Sequence, residues 1–175
     1  MTESPSTPPA RQLAFTLSFW TLRLWIGVRT LLAGIEKYAG KVTEKQPLLD
    51  EFGQPDINGA MVAVDKKVYG FSHYHALPDV LTSKLAAEPL IPGWALGAYS
   101  AILGPALVIL GAAIIVGLAP RLSLFLTGLL YTSLTVGLIL LNESGGIAWL
   151  GIHVIIIALA LRLVEHNRIG ILSKW

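Results

Sequence analysis

Apolar residues along the chain gather into long runs, not into the alternation of a strand or the single stripe of a soluble helix. A bilayer core is about 30 Å thick and takes about 20 apolar residues of helix to cross. Four stretches of that length are bounded by polar residues: 13–35, 94–118, 122–141 and 146–164. The pattern predicts an all-α membrane protein, a four-transmembrane-helix bundle in which residues 13–175 form a single domain.

The segments between the runs complete the picture. Residues 1–12, opening "MTESPSTPPAR", are rich in Pro, Ser and Thr and too polar to fold alone, so they read as a short disordered tail. The tail has no basic start or short apolar run of a signal peptide, because the apolar run that follows continues through Arg23 as a full-length span. The loop 38–93 is rich in turn signals. Within it "MVAV" and "VYGF" read as short strands of a small hairpin around "DKK". "PDVLTSKLAA" suits a short interfacial helix with Val80, Leu81 and Leu85 on its apolar side. Pro89 and Pro92 end that helix before Trp94, a residue suited to the headgroup level.

Lysine and arginine beside membrane spans favour the cytoplasmic side. Arg11, Arg121, Arg162, Arg168 and Lys174 all fall on one side of a four-span thread, whereas "NESGG" between the last two spans has no basic residue. Both termini are therefore expected in the cytoplasm of a cell whose inner (plasma) membrane holds the protein, with the long loop extracytoplasmic.

Composition agrees with a lipid solvent: 54% of the 175 residues are hydrophobic and 14% charged, with a mean hydropathy of +0.64. A net charge of +2, carried by scattered basic residues, gives no nucleic-acid footprint. The chain has no cysteine, which excludes disulfides, thiol chemistry and cysteine-held metal centres. There is no phosphate loop, nucleophile elbow or intramembrane carboxylate pair. "HYH" at His73 to His75 and the lone His153 form no metal-ligand pattern, so no metal is expected.

Polar residues inside the runs carry the remaining information. Arg23, Gly27, Thr30, Gly34 and Lys37 share one helical stripe of the first span, which should face protein, while Arg29 and Glu36 share another. Gly97, Ala101, Gly104 and Gly111 line a small-residue face of the second span, with a kink expected at Pro105, and Thr127, Tyr131, Thr135 and Asn142 stack on the third. At about 1.5 Å per residue, Arg29, Tyr99, Thr135 and His153 fall roughly 7 to 10 Å below the outer boundary, with Arg23 and Tyr131 nearer the midplane. A buried arginine requires compensation. No acid lies within the membrane core; Glu143 could approach Arg29, but neither it nor Glu36 reaches Arg23. Arg23 must use backbone carbonyls, hydroxyl oxygens, water, another subunit or a ligand. The six residues Arg23, Arg29, Tyr99, Tyr131, Thr135 and His153 are the candidate ligand-binding set.

The stretch "RLWIGVRTLLAGIEK", through Arg23, Gly27, Gly34 and Lys37, resembles the first span of the DoxX/DoxD-like family of small four-helix membrane proteins. The likeness continues through "LGPALVILGAAIIVGLAPRLSLFLTGLL" and His153 and covers about two thirds of the chain. The resemblance implies a quinone-interacting or accessory subunit of a membrane redox system, with no covalent cofactor and with electrons supplied by a partner. A non-catalytic scaffold whose outer loop docks a partner, or a small-molecule transporter, remain the other readings. The bilayer and a second subunit or oligomer are the expected partners.

Overall fold

The computed structural model describes residues 9–49, 53–54 and 59–167. Helix α1 (Pro9–Ile35) leads through a 3-10 turn, Glu36–Tyr38, into strand β1 (Ala39–Pro47). Strand β2 (Met61–Tyr69) returns antiparallel to it, and after a second 3-10 turn, Phe71–His73, the chain forms α2 (Asp79–Ala87). Three long helices follow: α3 (Gly93–Val116), α4 (Pro120–Leu140) and α5 (Ser144–Leu163). Residues 1–8 lie outside the described set, as do Arg168 and Lys174; the helix itself begins at Pro9, inside the segment 1–12 read as a tail.

Three helical segments are long and apolar enough to cross a membrane: Gly93–Val116, Pro120–Leu140 and Ser144–His166, with mean hydropathies of 2.2, 1.8 and 2.4. Helix α1 has the length, at 27 residues, but Arg11, Arg23 and Arg29 interrupt it and it stands outside that group. The outer faces of the long helices carry Val28 and Leu32, Ile102 and Ile109, Phe125 and Leu129, and Ile155 and Leu159, all exposed. So much contiguous apolar surface suits contact with lipid chains.

Small residues decide which helices pack closely. Helix α1 lies along α3 at Gly27, Gly34 and Gly111. A Cβ on Gly34 would come within 2.7 Å of the Val108 backbone nitrogen, and one on Gly111 would collide with the backbone of Leu31. Helices α4 and α5 form a second pair. Sequential neighbours α3 and α4 touch only sparsely, although the turn between them is short. The core between the pairs holds Phe19, Ile26, Leu103, Ile114, Leu124 and Ile157.

The expected hairpin is present beside the helices, but it is not folded around "DKK". That sequence lies inside β2, with Asp65 opposite Thr43, Lys66 opposite Val42 and Lys67 opposite Lys41. The partner strand was hidden in "GKVTEKQP", whose only apolar residue besides its terminal proline is Val42, so no apolar alternation marks it. The short helix in "PDVLTSKLAA" is present as α2, with Asp79 in its first turn and Leu85 buried. Its Lys84 pairs with Glu143 at 3.1 Å, which fastens α2 to the α4–α5 connection.

Candidate functional site

Arg23 is 1% exposed, and its partners are at the end of α3. Its Nε donates to the Ile114 carbonyl at 2.7 Å and its Nη2 to the Ile115 carbonyl at 2.9 Å. Nη1 donates to Asn167 Oδ1 at 3.3 Å, and the guanidinium lies 4.7 Å from the Trp20 ring centroid. The last carbonyls of a helix have no partner within it and sit at the negative end of its dipole. A planar cation with fixed donors meets both needs. Gly117 makes room for this: it takes the left-handed conformation at φ 81°, and the space a Cβ would fill is occupied by the guanidinium. Arg23 therefore sits at the end of α3, held by backbone carbonyls.

A separate cavity of about 120 Å³ lies between α1, α3, α4 and α5. Arg29, Lys37, Tyr131, Trp149 and His153 line it together with leucines. Tyr131 meets Thr30 of α1 hydroxyl to hydroxyl at 2.8 Å, which sets α1 against α4 beside the cavity. His153, buried on α5, donates from Nδ1 to the Trp149 carbonyl at 2.8 Å. In the tautomer with Nδ1 as donor, Nε2 is the acceptor nitrogen, and among the described residues it is buried without a hydrogen-bond partner. The Tyr131 and Trp149 rings pack edge-on against the imidazole, with centroids 5.7 and 5.4 Å away. Neither Arg29 nor Lys37 makes a salt bridge among the described residues, and burial pulls the Lys37 ammonium below the ordinary lysine range.

Glu36, just after α1, and Glu143, just before α5, are engaged elsewhere. Glu143 pairs with Lys84, so it does not meet Arg29. Glu36 accepts from Lys67 Nζ at 2.6 and 2.8 Å and from the Tyr69 hydroxyl at 2.9 Å. These bonds hold the Glu36 carboxyl below its usual range and the Lys67 ammonium above its own. They also anchor β2 to the end of α1.

The remaining candidates are placed apart from the cavity. Thr135 bonds back to the Tyr131 carbonyl at 2.8 Å. Tyr99 meets Ser133 at 3.0 Å on the wall of a larger apolar cleft. Of the six sequence candidates, Arg29, Tyr131 and His153 line the small cavity; Arg23, Tyr99 and Thr135 do not. The sequence reading missed Lys37 and Trp149 as lining residues. Lys37 was visible as a cation at the end of the Arg23 stripe, but it leaves the helix in the Glu36–Tyr38 turn and lines the cavity with Arg29.

Tyr74 ties the loop to α3 by an unusual route. Its hydroxyl donates to the Ser100 carbonyl and accepts from the Gly104 amide at 3.1 Å. Those two backbone groups are partners in an uninterrupted helix, so the side chain enters the ladder one residue before Pro105. Gly104 lacks the Cβ that would strike the Tyr74 ring. Among the described residues no cluster of three or more His, Asp or Glu side chains is placed to hold a metal. Comparison of the chain with protein-family models, curated proteins and solved structures finds no match to any of them.

Proposed function

We propose that the protein is a quinone-interacting accessory subunit of a membrane redox system, threaded through a bacterial inner membrane by α1, α3, α4 and α5 with both termini cytoplasmic. The observation that carries the reading is the small cavity, where two basic side chains with no acid partner among the described residues share a wall with a histidine whose Nε2 is likewise unpartnered among them. A quinone ring offers carbonyl oxygens to Arg29 and Lys37. Its quinol form offers a hydroxyl to His153 Nε2, the acceptor of this tautomer. Tyr131 and Trp149 supply ring faces and edges for a flat aromatic head. Electrons would come from a partner in this reading; the cysteine-free chain offers no dithiol and no cysteine ligands for an iron–sulfur cluster.

Titration of the purified protein in lipid nanodiscs with a benzoquinone tests this. Arg29→Gln, Lys37→Gln and His153→Phe should each weaken binding by tenfold or more. Binding unchanged in all three, or absent from the wild type, would overturn it.

A scaffold reading is favoured by the hairpin. Strands β1 and β2 are exposed along nearly their whole length, and a lone two-stranded sheet is marginal in water. Deleting residues 41–67 should abolish recovery of a redox partner in mild detergent if docking is the function, while leaving quinone titration intact.

A further inference from the structure

The small cavity has a neighbour. Leu134 of α4 and Leu150 of α5 line both it and a second cavity of about 560 Å³. The larger space opens where α3 and α4, joined by a tight turn, diverge. Its walls include Leu81 and Leu85 of α2, Ala95 and Leu96 of α3, and Gly137 and Leu140 of α4. Its volume falls within the range of about 300 to 1,000 Å³ typical of small-molecule sites. Among the described residues, the only polar side chains on its wall belong to Tyr99 and Ser133, which bond to each other. The cleft thus offers hydrocarbon contact and makes no polar demand. The adjoining cavity offers two cations and an acceptor nitrogen.

We propose that the cleft between α2, α3 and α4 seats the hydrocarbon chain of an amphiphile whose polar head occupies the Arg29, Lys37 and His153 cavity, making the ligand a long-tailed quinone and not a tail-less one. The inference rests on the quinone reading for the identity of the head and adds the chain. Charge complementarity places the head, and Leu134 and Leu150, which line both cavities, set the chain site directly beside it. Helix α2, fastened by Lys84 to Glu143, forms the side of the chain site remote from the core. Each methylene buried there contributes about fourfold in affinity.

The test uses the full chain in nanodiscs and two probes with the same benzoquinone ring, one carrying a decyl chain and one a methyl group. Comparing each variant with wild type on the same probe cancels partition of the probe into lipid. Ala95→Phe fills the cleft from α3. Gly137→Leu fills it from α4, where a Cβ meets Leu85 only at 3.8 Å. Each variant should weaken the decyl probe by tenfold or more and leave the methyl probe within twofold, with unchanged helical content by circular dichroism. Equal effects on both probes, or no effect on either, would overturn the chain site. The double variant Arg29→Gln, Lys37→Gln should weaken both probes. If it weakens neither while Ala95→Phe still weakens the decyl probe, the cleft stands and the head reading fails. Wild type that binds neither probe overturns both.

Discussion

Arg23 on α1 closes the end of α3 by donating from Nε to the carbonyl of Ile114 at 2.7 Å. The relationship makes a structural prediction separate from ligand binding. Arg23→Ala leaves the Ile114 and Ile115 carbonyls without these donors, at roughly 1 to 3 kcal/mol for each that stays buried and unpaired. Arg23→Lys keeps the charge but cannot present a planar fork to two carbonyls and Asn167 together. Unfolding titrations in mixed micelles should place both below wild type, alanine lowest. Quinone affinity per folded molecule should be unchanged, because Arg23 is not on the cavity wall.

Gly117 is constrained twice. Its φ of 81° is left-handed, and its open side is filled by the Arg23 guanidinium. Gly117→Ala should therefore cost more than the roughly 1 kcal/mol of a left-handed alanine. In the Arg23→Ala background the steric part disappears. A double-mutant cycle on the same unfolding titration should show the two losses to be less than additive.

His153 should separate stability from binding. Replacement by Phe removes the Nδ1 bond to Trp149 but also removes a buried nitrogen with no partner. Losing an unsatisfied acceptor offsets the lost bond, so the thermal midpoint of His153→Phe should stay within a few degrees of wild type while quinone binding falls tenfold or more.

The anchor of the hairpin is pH-dependent. Hydrogen bonds from Lys67 and then Tyr69 depress the Glu36 pKa, so its contribution is complete above the unfolded carboxylate value of about 4.3 and is lost as pH falls through the folded value. Lys67, raised mainly by its bond to Glu36, contributes below the unfolded lysine value of about 10.4 and stops contributing as pH rises through the folded one. Amide exchange in β1 and β2 should be slowest relative to the intrinsic rate between those limits. Glu36→Gln should remove the dependence at the acid end.

Tyr74→Phe removes a hydroxyl that two backbone groups of α3 share. The net loss should be modest, about 1 kcal/mol, because Ser100 and Gly104 can bond to each other once the hydroxyl is gone. Gly104→Ala should be worse, since its Cβ strikes the ring. Relative stability of the two variants in one detergent checks the order.

The long helices and α2 were legible because apolar run length and Pro or Gly punctuation are local signals. The Arg23 stripe was legible too, since Gly27, Thr30 and Gly34 turn inward with it. Its bonding partners were not, because Ile114 and Ile115 contribute backbone oxygens that no side-chain pattern reveals. Strand β1 was missed because its pairing with β2 is a non-local relationship and its own sequence is nearly all polar. The cavity was half legible: Arg29 and His153 share a depth, while Tyr131, expected nearer the midplane, lines the same cavity. Whether Tyr99 and Thr135 joined them depended on helix rotation and on hydroxyls bonding back into their own helix, which sequence depth alone does not fix.

The Tyr74 contact has a mechanical meaning. Ser100 and Gly104 can satisfy either the loop or one another, so the loop and the helix compete for the same pair of groups. Lipid supplies no replacement donors or acceptors at that point. A protein that pulls the loop away from the bundle does not break α3; it lets α3 close its own ladder above the level of Pro105. The Tyr74 hydroxyl thereby couples the position of the loop to the geometry of α3, the helix that also carries Tyr99 on the wall of the larger cleft.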